Sequence, residues 1–496
     1  MRAAPPTCPF NAPLLGALIA ALSSCTVGPN YQRPAPAGTT PAAFKERPPA
    51  AGPEGTWHPA RPSDATLRGA WWEVFADPTL NTLEEKIAVS NQTLKAAVAQ
   101  YQAARALVRV ARAGTLPTLT AGPSATRTHT SFNQANTVRG VTNYDVSAFT
   151  LQGQALWEPD LWGTVRRSVE QAQANVQASE AELANVALSL HAELATTYFQ
   201  LRGLDTQRQL LESTLASDLD YLKLTEVRFK GGVATEVDVA QAETQARSVK
   251  AQSIDLGVAR AQAEHAIALL IGVPPSEFSL PPSPITTASL PLIPAGVPSA
   301  LLERRPDIAA AERRAAAANA QIGIATAAYY PHVTLGATGG LESGVLGTLL
   351  SASSFFWSLG TSAAGTLFDG GRRGALTEQA RQAYEAQVAG YRQSVLNAFR
   401  EVEDSLAALR VMNDEDEAES LAVEAARRSL SLSSKRYKGG VTTYLEVLTA
   451  QTIQLTNERA QAELITRRYT ASVQLIKALG GGWDGSKPAS VTSARN

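Results

Sequence analysis

The residues able to do chemistry in this 496-residue chain are few and scattered. Its five histidines stand at 58, 129, 191, 265 and 332, none at the spacing of a zinc site. Methionine occurs only as Met1 and Met412, so no Met-rich metal path exists. "GGGWDGSK" (480–487) looks faintly like a phosphate loop, but Ser486 separates Gly485 from Lys487 and Pro488 follows where a helix should begin. The chain is therefore expected to be no enzyme and to hold neither cofactor nor metal. Two features remain: Cys25, and a motif written twice, "RFKGGVATEVDV" (228–239) and "RYKGGVTTYLEV" (436–447), with 208 residues from Arg228 to Arg436. A repeat of such a long period speaks of architecture.

Cysteine chemistry comes first along the chain. Arg2 and the apolar run "LLGALIAAL" (14–22) are too short for a permanent membrane helix and read as a secretory signal. Leu22-Ser23-Ser24-Cys25 resembles the lipobox of bacterial lipoproteins. That resemblance implies a signal over 1–24, a fatty acyl chain such as palmitate on Cys25, and, with Thr26 rather than Asp next, sorting to the outer membrane. The alternative is a buried or free thiol. Cys8 lies inside the signal, so the mature chain has no pair for a disulfide.

A formal net charge of −1 with 18 % charged residues excludes nucleic acid and other charged polymers as partners. Aromatic residues are only 6 % and Ala is abundant, which suits long, closely packed helices.

The doubled motif needs elements to hold it. Thr164–Val227 contains no Pro and only Gly203, and Ala375–Lys438 contains no Pro and only Gly390. Helices of that kind reach on the order of 95 Å at about 1.5 Å per residue. Leu183, Leu190, Leu194, Leu201, Leu204, Leu211, Leu215 and Leu222 mark a coiled-coil seam along the first. Gly231-Gly232 and Gly439-Gly440 then stop the helices, which is the capping role of glycine. Arg228, Lys230, Arg436 and Lys438 set cations at those ends. Shorter arms follow, Val233–Ile271 and Val441–Leu479, so each turn joins two antiparallel helices. Upstream, Asp77-Pro78 opens a helical stripe running to Gly114, with a counterpart from Arg305-Pro306-Asp307 to Tyr330.

Between these helices the period changes to two. "FTLQGQALW" (149–157) sets Phe149, Leu151, Ala155 and Trp157 against Thr150, Gln152 and Gln154, and "HVTLGATGGL" (332–341) alternates in the same way. "FFWSLGTSAAGTLF" (355–368) sets Phe355, Trp357, Leu359 and Leu367 against Ser358, Ser362 and Thr366, and "PTLTAGPSATRT" (117–128) is a weaker fourth case. Loops at 133–143 and 343–353 close two hairpins. Strands of this length and pattern fit a membrane barrel, or else a half-buried soluble sheet. Four strands cannot close a barrel in lipid, so the barrel reading requires several copies of the chain.

Hairpin, long helix, Gly-Gly turn and short helix, written twice behind a lipobox, resemble the outer-membrane factor (TolC-like) family of tripartite exporters, lipoprotein branch. "CTVGPNYQRP" (25–34), "WEPDLWGTVRR" (157–167), "RRPDI" (304–308), "YYPHVTL" (329–335), "LFDGGRR" (367–373), "RYKGGVTTYLEVLTAQ" (436–451) and "KALGGGW" (477–483) carry the likeness over almost the whole mature chain. It implies a mainly α fold with a membrane β-barrel: a homotrimer whose α-helical tube continues a 12-stranded transmembrane β-barrel. It also implies an outer-membrane exit channel for small molecules, with a periplasmic adaptor (membrane fusion protein) and an inner-membrane pump such as an RND transporter as partners. The docking tips would be Arg228, Lys230, Gly231, Gly232, Arg436, Lys438, Gly439 and Gly440.

In this frame 25–76 is a lipid-anchored equatorial segment and 77–272 the first repeat, with a hairpin at about 117–157, a long helix at 164–227 and a tip at 228–235. A Pro-rich connection covers 273–300; the second repeat is 301–480, with a hairpin at about 331–368, a long helix at 372–438 and a tip at 439–443; the tail is 481–496. Leu445, Thr449 and Thr452 share one face of the second arm. In relatives that face narrows the channel with a Leu ring and charged positions. Here Thr replaces the charges, so a gate would rest on Leu445, which is otherwise plain seam. Glu446 lies about 100° round from Leu445 and is expected to face a neighbouring helix. A channel for type I protein secretion is the main alternative; a lipid-anchored periplasmic coiled-coil adaptor, which would need no two-faced strands, is the other.

Overall fold

The computed structural model describes residues 26–38, 41, 43–46, 69–129, 145–285, 290–291, 293, 301–302 and 304–481. Cys25, the signal 1–24, the loop 133–143 and residues 482–496 lie outside the described residues, as does most of 47–76. The elements in chain order are α1 (Pro78–Ser90), α2 (Gln92–Ala113), β1 (Thr118–His129), β2 (Asp145–Trp157), α3 (Thr164–Lys230) and α4 (Glu236–Leu270). They continue with α5 (Pro306–Ala327), β3 (His332–Ser343), β4 (Phe355–Ala364), α6 (Arg372–Lys438) and α7 (Tyr444–Ala478). The two longest helices, α3 and α6, have 67 residues each and the two arms, α4 and α7, have 35 each.

Three boundaries differ from those expected. The stripe from Asp77 to Gly114 is broken at Asn91, whose ψ of 123° leaves the helical region. Asn91 donates to the Leu270 carbonyl (2.7 Å) and caps α2 by accepting from Leu94 N (2.9 Å). Helix α3 runs through Lys230, so Arg228 and Lys230 belong to its last turn and not to the tip loop. Strand β4 ends at Ala364, opposite His332. Pro331 has no N–H to extend the ladder, and Asp369 instead turns the chain into α6, leaving Leu367 and Phe368 exposed.

The chain divides into two units, each with its own packing. The first comprises Met1–Pro34, Gln102–Ala178 and Glu312–Gly390. It holds one antiparallel sheet in the order β1-β2-β3-β4, so the two hairpins are themselves joined by β2–β3 pairing, Leu151 opposite Leu341 and Ala155 opposite Ala337. At the near end of the sheet Trp162 stacks on Tyr330 with ring centres 4.8 Å apart and donates to the Pro331 carbonyl (2.8 Å). Each long helix starts in the same way. Asp160 accepts from Val165 N (3.0 Å) and Arg166 N (2.9 Å), and Asp369 from Gly371 N and Arg373 N (both 3.1 Å). Both carboxylates also pair with an arginine of the first turn, Arg166 and Arg373. The Arg373 contact holds the Asp369 carboxyl below the usual range.

The residues just after Cys25 are strapped onto this unit. Val27 N donates to the Trp162 carbonyl (3.1 Å), and the buried Arg167 donates to the carbonyls of Val27 (3.2 Å) and Gly28 (3.1 Å) and to Asn30 Oδ1 (3.0 Å). Asn319 holds the Pro29 carbonyl (3.0 Å), and Tyr31 donates to Glu312 (2.5 Å). Gly28 has φ 96° and lies so near α5 that a Cβ would come within 2.5 Å of Gly323 Cα; no other residue fits there.

The second unit comprises Ala35–Tyr101, Ser179–Ala311 and Tyr391–Asn496. Its largest core joins Leu80, Ile87, Leu194, Tyr198, Leu201, Ile267, Val402, Leu406, Val473 and Ile476. Along α3, Leu183, Leu190, Leu194, Leu201 and Leu211 are buried and Leu204, Leu215 and Leu222 half-buried. Two irregular segments are fastened to these helices by charge. Asp205 accepts from Arg260 (2.7 Å) and Ser283 N (3.0 Å), while Arg202 and Arg260 donate to the carbonyls of Pro281 (2.8 Å) and Leu280 (2.5 Å). Glu403 receives the backbone N–H groups of Lys45 (2.7 Å) and Glu46 (2.9 Å). Beneath a Trp72–His191 stack (4.4 Å), His191 Nδ1 lies 2.7 Å from the fully buried Glu84.

Candidate functional site

The sheet is the first candidate surface. Directly opposed residues of an antiparallel pair project to the same side, so the register alone sorts the faces. Odd-numbered positions form one: Leu119, Leu151, Ala155, Trp157, Leu335, Ala337, Leu341, Phe355, Trp357 and Leu359. Even-numbered positions form the other: Thr120, Ser124, Thr150, Gln152, Gln154, Thr338, Glu342 and Ser358, with Thr334 and Ser362 joined at 2.6 Å. Val146, Leu156 and Phe356 are apolar exceptions on the even face. The apolar face is uncovered in the single chain, with Leu119 76 %, Leu359 73 % and Trp357 67 % exposed. It is bounded at one end by Trp157, and at the other by Arg127 and His129, both bonded to Asp145 at 2.7 Å.

The hairpin tips are the second, and lie in the second unit. Each Gly-Gly turn ends its helix with two backbone bonds: Gly440 N donates to the Tyr437 carbonyl (2.9 Å) and Val441 N to that of Arg436 (3.0 Å), with Gly232 and Val233 doing the same after α3. Gly440 has φ 77° and Gly232 φ 74°, so a side chain at either would strain the turn. Thr235 and Asp238 then form a capping box at the start of α4.

Three of the four cations expected at these tips are engaged within the chain, and the fourth, Lys230, is exposed. Arg228 donates to the Tyr437 carbonyl (2.5 Å) with its guanidinium 4.6 Å from the centre of that ring, and so ties one tip to the other. Arg436 pairs with Glu446 at 2.8 Å, and Thr442 also donates to Glu446. Lys438 Nζ is 6.0 Å from the Tyr221 ring. Glu446 was readable as facing another helix, but its partner across the turn was not. Exposed apolar side chains surround the turns instead: Val227, Phe229, Val233, Val237 and Val441.

Past the second turn, Leu445 is 54 % exposed, and Thr449 and Thr452 are exposed on the same side. Both hydroxyls bond back to the carbonyls four residues earlier, Leu445 and Leu448, at 2.9 Å. The opposite side of α7 is buried through Tyr444, Val447, Ala450 and Gln451. No group of three or more His, Cys, Asp or Glu able to hold a metal occurs among the described residues.

The chain is similar to known proteins over most of its length. The profile of the family described as "Outer membrane efflux protein" matches residues 83–273 and 297–481. The toluene efflux pump outer membrane protein TtgI of Pseudomonas putida is 33 % identical over 468 residues, covering 94 % of this chain and 97 % of its own. The pyoverdine export outer membrane protein OpmQ of Pseudomonas aeruginosa is 33 % identical over 430 residues, covering 86 % and 90 %. Among solved structures, that of the outer-membrane channel OprN superposes with a TM-score of 0.84 at 33 % identity, covering 92 % of this chain and all of the other. With two profile matches that between them take in both hairpin tips, the chain belongs to the outer membrane efflux protein family.

Proposed function

We propose that this chain is the outer-membrane exit channel of a tripartite efflux pump, a passive conduit for small toxic compounds. The observation that carries it is the sorting of the sheet into an exposed apolar face and a polar face. A soluble protein would cover the first; a barrel wall turns it to lipid and the second to a wet lumen. From Trp157 to Phe149 the apolar band is about 27 Å of strand at ~3.4 Å per residue, on the order of 20 Å of height at barrel tilt. The outer edges of β1 and β4 have no partner strand among the described residues. Three copies joined edge to edge would give twelve strands and bring six hairpin tips together.

In this reading Cys25 carries fatty acid, and the strap that follows it, residues 27–31, is clasped at Trp162, which stacks on Tyr330 at the aromatic end of the sheet. The tips dock a periplasmic adaptor, which links the channel to an inner-membrane pump. Leu445, with Thr449 and Thr452, lines the narrow end. Relatives named for toluene and pyoverdine export support small molecules as cargo. Light scattering of the purified full-length chain should return three copies, and the same sample should conduct ions in planar bilayers. A monomer, or a trimer without conductance, would overturn the proposal.

A further inference from the structure

The seam of α3 contains one position that its leucines step over. Leu211, Leu215 and Leu222 are spaced so that residue 218 belongs to the same stripe, and residue 218 is Asp, fully buried. Its Oδ1 accepts from Gln451 Nε2 of α7 at 2.9 Å, and the amide of Gln245 on α4 lies near enough to pull its titration down. Two buried oxygens at this contact have no hydrogen-bond partner among the described residues: Asp218 Oδ2 and Gln451 Oε1. They are complementary. A carboxylate and a primary amide can make only one N–H···O bond with each other, whereas a carboxylic acid and an amide can make two, and the second uses these two oxygens.

We propose that Asp218 and Gln451 form a proton-binding site: a proton on Asp218 Oδ2 is donated to Gln451 Oε1 while Gln451 Nε2 donates to Oδ1, stapling α3 to α7. A partnerless buried acceptor is among the more expensive features of a folded chain, and one proton satisfies two of them. The surroundings supply no counter-charge for an ionised Asp218. From its own helix comes Tyr221, bonded to Ser434 (2.5 Å); from α6, Tyr437, bonded to Thr225 (2.8 Å); from α7, Tyr444, whose hydroxyl is buried without a partner among the described residues; from α4, the neutral Gln245. Arg228 and Lys438, the cations set against the Tyr437 and Tyr221 rings, pair with neither oxygen of Asp218.

Burial pushes the Asp218 carboxyl up to about 6, against the pull of its amide donors. A group whose folded value is raised contributes stability that is complete below the unfolded value and is lost as pH rises through the folded one. The staple is therefore tight near pH 4, loosens as pH rises toward about 6 and stays loose above it. Helix α7 presents Leu445, Thr449 and Thr452 beside Gln451, so this proton sets how firmly that face is held. The charge-poor face itself titrates little; the titrating group stands behind it. The inference rests on contacts within one chain and is independent of the channel reading.

The test is hydrogen exchange of Tyr444–Leu455 in the purified full-length protein from pH 4 to 8, referenced to an unstructured peptide to cancel base catalysis. In the wild type protection should fall by up to about tenfold per pH unit as pH rises from about 4 to about 6, and level off above that. Asp218→Asn, an amide that makes both bonds without titrating, should stay protected throughout. Gln451→Leu should be weakly protected throughout. A flat wild-type profile, or the same slope in Asp218→Asn, overturns the proposal. If a variant fails to fold, the wild-type infrared spectrum decides: a buried carboxylic-acid carbonyl band should vanish as pH rises through about 6, and its absence at pH 5 sinks the idea.

Discussion

Arg436 and Glu446 meet at 2.8 Å across the Gly439-Gly440 turn, joining the last turn of α6 to the first turn of α7. The pair is half-exposed and contributes at most about 1 kcal/mol. Arg436→Glu should lower the melting temperature slightly, and the double exchange Arg436→Glu with Glu446→Arg should restore it. Adaptor pull-down separates the two roles of Arg436: binding that recovers with the exchange makes its role internal, whereas binding still lost makes the cation itself the docking group.

In the sheet, Leu359 and Ser358 are neighbours on opposite faces. An Arg toward hydrocarbon at mid-membrane costs about 2–4 kcal/mol and one toward a wet lumen little. Leu359→Arg should impair assembly into heat-resistant oligomers far more than Ser358→Arg. Equal assembly of the two would remove the membrane assignment of the odd face.

Glu84 and His191 titrate as a buried pair: burial pushes Glu84 up to about 9 and His191 down to about 4, so the pair stays neutral around pH 7 with one proton between them. The raised Glu84 value means stability is lost as pH rises toward 9. The depressed His191 value means stability is lost as pH falls below the ordinary imidazole range. Between pH 7 and 9 only the Glu84 contribution still changes. Wild-type melting temperature should fall over that window, with a limit of about 1.4 kcal/mol per pH unit, and Glu84→Gln should flatten the fall. A slope unchanged in the variant would mean that Glu84 is ionised when folded.

Leu445→Ala should raise the resting conductance of the purified channel in planar bilayers, because Leu445 is the large exposed apolar side chain nearest the turn on the side it shares with Thr449 and Thr452, the next, Ile453, lying two turns further along α7. No added leak would place the constriction elsewhere.

Cys25→Ser with the signal intact should abolish incorporation of labelled fatty acid. Part of the protein should still reach the outer membrane, since an acyl chain adds anchoring that a closed barrel does not need. Unchanged labelling would end the lipoprotein reading.

Periodicity explains what was legible beforehand. The α3 leucines and the alternation of Phe149–Trp157 are local patterns that the backbone period turns directly into faces. The break at Asn91 was hidden because Ile87 and Leu94 keep helical spacing across it, while the carbonyl that claims Asn91 belongs to Leu270. The β2–β3 pairing that merges two hairpins was hidden for the same reason: neither strand announces a partner so far along the chain. Asp218 escaped because a seam is recognised by its apolar members. At the tips the glycines and cations were visible, but not the Tyr437 ring and carbonyl that occupy Arg228.

The strap behind Cys25 also fixes an order of events. Its clasps join Val27 to Arg167, 140 residues on, and Pro29 to Asn319, 290 residues on. A chain exported from its N-terminus presents Cys25 long before α5 has emerged, so on the lipoprotein reading the acylating enzymes meet a loose tail. The strap closes only after α5 has crossed the inner membrane. Arg167→Ala should then leave acylation untouched and delay the folded, protease-resistant form. The buried guanidinium would be a late fastener, closing over a modification already made.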